Sequence, residues 1–346
     1  MRYLLVWAAA AAWAQPVTLE NEAARAVFQL AGGSLTDFHL KDQKLNPFTW
    51  EPRGDNAANR PRGHFLCFDR WGQPSASELK NGMPFHGEAT RVAWTKEGGG
   101  AGEVKMTAFL PMAGLAIERH ARMGGAGSLR VTETVTNRNK LGRMYNLVQH
   151  PTIAPPFLDA ATVVDTNAKR GFMQSSPMPN PEEPPVWWPQ ALKDGHAVNL
   201  RHLTDDPLPN VVSYTIDEEW GWVTAAAPGH GLLVGYLWKV REYPWLNIWR
   251  DVRDGKPAAR GLEFGTTGLH QPFSVLVAKE KIFGRPLYDY LDAGESAARS
   301  YAVFLAKIPA GFKGAAKVSY DGSRVTVEER GAPRKIVIET GALFPD

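Results

Sequence analysis

Four short stretches of the chain carry the side chains able to do chemistry. In Phe68-Asp69-Arg70-Trp71-Gly72 an arginine stands beside a tryptophan at an expected strand end. There a guanidinium forks hydrogen bonds to hydroxyls while an indole supplies an apolar platform, or else the two pack together as an ordinary surface pair. In Met83-Pro84-Phe85-His86-Gly87-Glu88, proline and glycine fix the backbone around one imidazole, on a tight loop and not on an apolar stripe. The third stretch joins Val131-Thr132-Glu133-Thr134-Val135-Thr136-Asn137 to Asn146-Leu147-Val148-Gln149-His150-Pro151. Proline after His150 keeps that residue extended and stops the ladder, so its imidazole is free to face a cleft. The fourth is Gly261-Leu262-Glu263-Phe264-Gly265-Thr266-Thr267-Gly268, where Glu263 lies between two apolar neighbours in an expected strand. A carboxylate so placed either pairs with a cation or carries a raised pKa, and both suit a site.

The elements that must position these groups are strands. Runs rich in β-formers recur at 17–30, 104–110, 115–123, 129–136, 211–216, 231–240, 246–252, 273–278, 301–307, 316–320, 325–329 and 335–339. Gly98-Gly99-Gly100, Gly124-Gly125-Ala126-Gly127 and Asp321-Gly322 read as the turns between them. One short helix is expected within 285–300, weakened by Gly294. Many antiparallel strands in a chain of 346 residues imply an all-β fold, a large sandwich in which each sheet hides one face. The stretch 174–209, with eight prolines and the pair Trp187-Trp188, reads as a long irregular loop of the kind that forms lids and rims.

Residues 1–14 read as a secretory leader: one arginine, a short apolar run and Ala12-Trp13-Ala14 before Gln15. Cleavage there leaves residues 15–346 as one domain, periplasmic or secreted, with no membrane segment after cleavage. Lys plus Arg is 39 against 36 for Asp plus Glu, a formal charge of +3, which gives no basic footprint for nucleic acid. The one cysteine, Cys67, makes no intramolecular disulfide and reads as a small buried hydrophobe. Zinc-ligand, phosphate-loop, dinucleotide and nucleophile-elbow patterns are missing, so neither a metal nor a cofactor is expected.

Taken together, the Thr134-Val135-Thr136-Asn137 strand end with Gln149-His150-Pro151, the upstream His86-Gly87 and the downstream Leu262-Glu263 resemble the aldose 1-epimerase (galactose mutarotase-like) superfamily. The opening at 19–33 and Leu291-Asp292-Ala293-Gly294-Glu295 are also similar, so the resemblance spans most of residues 15–346. It implies a β-supersandwich of two large, mainly antiparallel sheets forming a carbohydrate-binding domain. It further implies Glu263 as general base and His150 as general acid in opening and reclosing a sugar's hemiacetal ring, with His86 and Arg70 binding the sugar. The chain departs from the family's sugar mutarotases after His150-Pro151, at Thr152-Ile153-Ala154, and after Leu262-Glu263, at Phe264-Gly265-Thr266-Thr267.

Seven of the 12 tryptophans fall between Trp187 and Trp249, and indoles stack on the C–H faces of sugars. Trp245 and Trp249, four apart in one strand, point to the same side and are candidate platforms, or else core residues. The function expected is an exported isomerase interconverting the anomers of a small sugar or glycan end. A non-catalytic carbohydrate-binding protein, or a glycan lyase or hydrolase pairing Glu263 with Asp69 or Glu88, are the alternatives. Carboxylate spacing separates hydrolysis from epimerisation, since a hydrolase needs two carboxylates across the cleft.

Overall fold

The computed structural model describes residues 15–54, 59–193, 195–202 and 210–344; the expected leader at 1–14 lies outside the described residues. Period-two burial starts with the first elements, where Val17–Glu20 and Ala24–Phe28 bury alternate side chains against the core. Two large antiparallel sheets follow. The first runs in the order Val17–Glu20, Ala24–Phe28, Leu35–Leu40, His64–Asp69, Arg143–Ile153, Lys256–Gly265, Trp245–Arg253, Asn210–Thr215, Arg170–Met173 and Val186–Trp187. The second runs Val163–Thr166, Trp220–Ala227, Leu232–Lys239, Ser296–Lys307, Ser128–Asn137, Leu115–Met123, Glu103–Leu110 and Thr95–Gly100. Leu66, Leu246, Leu262 and Phe264 from the first sheet share one buried cluster with Ile117, Val131, Tyr236 and Val303 from the second. This is the expected all-β sandwich.

A third sheet, Ala315–Tyr320, Arg324–Glu329 and Lys335–Glu339, covers the other side of the second sheet. Val318, Val325, Val327 and Ile338 form a separate cluster there with Trp222, Leu237 and Phe304. Buried Asp165 holds it in place by accepting from the Ala315 backbone N–H at 2.9 Å and pairing with Arg201 at 2.6 Å and Arg330 at 3.1 Å.

Three local expectations are corrected. Residues 273–278 form a helix, Phe273–Lys279, not a strand: Pro272 starts it, and it buries Leu276 in a cluster with Trp245 and Phe172. Residues 285–300 are extended, not helical. Gly294, at φ +79°, makes a turn there, and the long strand Ser296–Lys307 pairs along Ser128–Asn137. Gly98-Gly99-Gly100 ends a strand with an irregular register, and the turn falls at Ala101-Gly102. The proline-rich stretch is less irregular than expected, because Gln190–Lys193 pairs with His196–Asn199; its residues 194 and 203–209 lie outside the described residues.

The strand Arg143–Ile153 is buried on both faces, and its inward side chains join the sheets by polar contacts. Gln149 Nε2 donates to Glu133 Oε2 at 2.6 Å, and Arg119 grips the other Glu133 oxygen through Nε at 2.8 Å. Arg119 also donates to the Gly33 carbonyl and lies 4.5 Å from the Trp94 ring centroid. The Gln149 carbonyl oxygen contacts His64 Nε2 at 3.2 Å, and Tyr236 Oη lies 3.1 Å from His64 Nδ1. Burial drives the His64 pKa down to about 3, so the ring is neutral and donates through Nε2 while accepting from Tyr236. Removing one member of a buried ion pair costs about 3–5 kcal/mol. Glu133→Ala is therefore expected to lower unfolding free energy by about that amount in urea titration; an unchanged midpoint would remove this network as the tie between the sheets.

Candidate active site

The same strand that sends Gln149 inward sends His150 to the opposite face. Phe65 pairs with His150 on one side. On the other, the register that matches Gln149 to Phe264 sets Glu263 opposite His150, with Asn247 and Ser213 beyond it. Directly opposed residues of paired strands lie side by side, and here His150 Nε2 is 3.1 Å from Glu263 Oε1. The second Glu263 oxygen accepts a hydrogen bond from the Trp71 indole at 2.7 Å. Both carboxylate oxygens are thus partnered in a buried position.

Their protonation follows from these contacts. Thr152 Oγ1 donates to the His150 carbonyl at 3.4 Å and lies 2.9 Å from His150 Nδ1, which makes it the acceptor for Nδ1–H. His150 Nε2 is then a lone-pair acceptor, and the proton of the 3.1 Å contact belongs to Glu263. Electrostatics agree. Burial pushes the Glu263 pKa well above the ordinary carboxylate range, against the opposing pull of the Trp71 hydrogen bond. Burial also lowers His150 to about 3. The resting pair is a carboxylic acid hydrogen-bonded to a neutral imidazole, one proton shared between two bases.

His86 reaches the same place from its loop. Its backbone is left-handed, at φ +65°, and Gly87 follows at φ +78°. A Cβ on Gly87 would meet the Phe68 carbonyl oxygen at 2.1 Å, so glycine is required for the loop to bridge onto the His64–Asp69 strand. The Gly72 backbone N–H donates to His86 Nδ1 at 3.0 Å, which leaves Nε2 carrying the imidazole proton. The His86 and His150 ring centroids are 5.5 Å apart. Phe65 stacks on His150 at 4.1 Å, and Trp249 stands 6.1 Å from His150 with Trp50 edge-on to it at 6.0 Å.

Glu263, His150, His86 and Trp249 are therefore brought together. Arg70 and Trp245 are placed otherwise. The Arg70 guanidinium, 5% exposed, pairs with Asp69 at 2.8 Å and with Glu78 at 2.7 Å. It ties the strand end to the short helix Ala76–Lys80, which Ser75 and Glu78 close with a capping box. Trp245 is on the same face as Trp249, as the four-residue spacing requires, but it is fully buried beneath the Phe273–Lys279 helix cluster. Its indole N–H donates to the Pro286 carbonyl at 2.7 Å. Two residues that sequence reasoning left unassigned belong to the site. Trp71 was seen only as a platform beside Arg70, and it is the partner of Glu263. His270 stands 4.7 Å from Trp71 and 5.6 Å from His86. Nothing in local spacing marks it, since it follows Glu263 by seven residues on a turn.

Neither alternative carboxylate shares the site. Asp69 is held by Arg70 and Arg143, the latter at 2.9 Å. Glu88 accepts from the Met112 and Ala113 backbone N–H groups at 3.0 and 2.9 Å. Among the described residues, no group of three or more His, Cys, Asp or Glu side chains has the geometry to hold a metal ion.

No protein-family model matches the chain, and no curated protein matches it in sequence. Solved structures do match in shape. A galactose mutarotase related enzyme from Lactobacillus acidophilus superposes with a TM-score of 0.63 at 12% identity, over 85% of this chain and 98% of that one. A galactose mutarotase-like protein from Lactobacillus casei gives 0.59 at 18% identity, over 84% and 100%. Another, from Clostridium acetobutylicum, gives 0.61 at 13% identity, over 85% and 95%. The chain has the galactose mutarotase-like fold.

The protonated Glu263 has a consequence for stability with a definite sign. In the unfolded chain this carboxyl loses its proton near its ordinary value of 4.5, whereas in the fold it keeps it well above that pH. The folded state then binds the extra proton, and Glu263 lowers stability by about 1.4 kcal/mol for each pH unit above the unfolded value, up to its folded pKa. Glu263→Gln should therefore gain on the wild type steadily between pH 5 and pH 7 in urea unfolding. A difference that stays flat over that range would mean the carboxyl is ionised in the folded protein.

Proposed function

We propose that the protein is an exported carbohydrate-active isomerase that interconverts the anomers of a free sugar, with Glu263 and His150 as its acid–base pair. The observation that carries the reading is the 3.1 Å contact between His150 Nε2 and Glu263 Oε1 on an aromatic-lined sheet face. The hydroxyl and ring oxygens of a hemiacetal are bonded to the same carbon. The two groups that serve them must therefore be neighbours, and a direct pair meets that need.

The steps balance without any outside proton. Transfer of the shared proton from Glu263 to His150 Nε2 gives a carboxylate and an imidazolium. The carboxylate removes the proton of the anomeric hydroxyl while the imidazolium protonates the ring oxygen. The C1–O5 bond breaks, a carbonyl forms at C1, and the pair returns to carboxylic acid and neutral imidazole. Rotation about C1–C2 and the reverse transfers close the other anomer. Trp71 stabilises the carboxylate through its indole N–H, and Thr152 holds the imidazole in the tautomer that Glu263 needs.

Hydrolysis or elimination with a second carboxylate loses its support, because Asp69 and Glu88 are both engaged away from Glu263. The galactose mutarotase related enzyme of L. acidophilus shares the fold and so favours the sugar reading at the level of scaffold.

Anomer exchange followed by NMR over a panel of free hexoses and pentoses tests the proposal. Wild type should accelerate exchange of at least one sugar, and Glu263→Gln or His150→Gln should each lower that rate by about 10²–10⁴-fold. Saturable binding without acceleration would make this a binding protein instead.

A further inference from the structure

Mutarotation uses one carboxyl and one imidazole, yet this site contains three histidines. Neither His86 nor His270 has a task in the steps above, and the sequence resemblance that gives His86 a sugar contact gives none to His270. His270 sits on the turn after the Lys256–Gly265 strand, and that turn is braced from outside. The Gln174 side chain accepts from the His270 backbone N–H at 2.9 Å while donating to the Gly268 carbonyl at 2.7 Å and to Ser213 Oγ at 2.6 Å. The imidazole lies over Gly72, where a Cβ would come within 2.8 Å of three ring atoms. It meets the Trp71 ring at 86° and 4.7 Å. His86 is 5.6 Å away and Phe85, half exposed at the rim, is 5.5 Å away.

A ring so closely held on two sides takes no hydrogen-bond partner from any other described residue. Its backbone N–H is bonded to Gln174, and one ring N–H turns back to its own backbone carbonyl, which leaves the other ring nitrogen without a partner among the described residues. His86 differs in a useful way. Its Nδ1 accepts from Gly72 N–H, so its Nε2 is a fixed donor. The neutral His270 ring spends its one N–H on its own carbonyl, so its other nitrogen is an acceptor. One fixed donor beside one acceptor suits a pair of hydroxyls on adjacent carbons, because each hydroxyl both gives and takes a hydrogen bond. The electrostatics narrow the substrate further. Burial lowers His86 well below its ordinary value and His270 to about 4, so both rings are neutral near pH 7. No arginine or lysine is among the groups that shift the titration of His86, His150, His270 and Glu263. Arg70, next to Trp71 in the chain, is committed to Asp69 and Glu78.

We propose that His270 and His86 together form a two-imidazole subsite that binds a vicinal diol of an uncharged sugar, making His270 a specificity-determining residue of the site. The inference rests on the sugar reading above. Its discriminating feature is that the ring nitrogens, not the ring's packing on Trp71, supply the binding.

The experiment pairs His270 variants of the full chain with deoxy sugars. His270→Phe keeps an aromatic ring against Trp71 and removes both nitrogens; His270→Gln restores a donor and an acceptor on a thinner side chain. For the hexose that wild type exchanges fastest, each monodeoxy analogue that retains the anomeric hydroxyl is measured for Kd by NMR titration and for exchange rate. Wild type should lose about threefold to tenfold in affinity on deletion of one particular hydroxyl. His270→Phe should bind the parent hexose equally weakly and become indifferent to that deletion, with His270→Gln recovering part of the loss. The matching uronic acid should bind wild type no better than the hexose. If His270→Phe still discriminates the deoxy analogues as wild type does, or if the uronate binds tighter, the subsite is overturned while the isomerase reading stands. Failure of wild type to bind or exchange any sugar would overturn both. Far-ultraviolet circular dichroism and the urea midpoint report whether either variant has lost its fold.

Discussion

Gln149 and His150 are chain neighbours on opposite faces of one strand, and the site and the sandwich are joined at that step. The inward residue is fastened to Glu133 and through it to Arg119 on the far sheet. The outward residue is the imidazole that meets Glu263. Because side chains alternate with period two, a slip of one residue would turn both to the wrong face. The buried polar ties between the sheets therefore do more than hold layers together. They fix which residue of this strand looks out, and so they set the register that brings Glu263 opposite it.

Burial then decides the chemistry. A carboxyl in water would be ionised at neutral pH and an imidazole partly so. On this sheet face both charged forms are disfavoured, and the pair rests as an acid and a neutral base. The same desolvation acts on His86 and His270, so the site carries hydrogen-bonding capacity without net charge. Trp71 moderates the effect at one point only, by offering an N–H to the carboxyl oxygen that His150 does not touch. A single indole thus keeps the ionised form of Glu263 within reach while the surrounding apolar rings favour the neutral one.

Much of this was legible in the residues. Alternation exposed strands such as Glu103–Leu110, Leu115–Met123 and Ser128–Asn137 but not Trp220–Ala227, which is buried almost throughout. The proline after His150 does not stop the ladder as expected: the strand runs on through Pro151 to Ile153, and period-two alternation is what turns His150 away from Gln149. Glu263 between leucine and phenylalanine announced a buried carboxyl. What could not be read lay in tertiary contacts. The apolar run at 273–278 suits a strand by composition, and only the shape of the cluster around Trp245 makes it a helix. Spacing placed Trp245 and Trp249 on one face but could not tell that a helix covers the first and leaves the second beside His150. Arg70 beside Trp71 suggested a sugar contact, whereas the acids that claim it are Asp69, next in the chain, and Glu78 across a helix turn. His270 had no motif at all, because its neighbours come from positions 71, 85 and 86.

The four ring and carboxyl groups of the site are not carried in the same way. His150 and Glu263 stand mid-strand in adjacent ladders of the largest sheet, where moving either would disturb pairing on both sides. His86 and His270 hang from loops outside the ladders, tied to the sheet by contacts such as the Gly87 bridge to Phe68, the Thr267 carbonyl on Asn247 and the Gln174 brace. The Glu263–His150 pair is thus part of the load frame, and the groups around it are fittings. An architecture of that kind separates the rate at which its two halves can evolve. Loop substitutions re-shape the surroundings, one hydrogen bond at a time, while the Glu263–His150 pair beneath them stays in register.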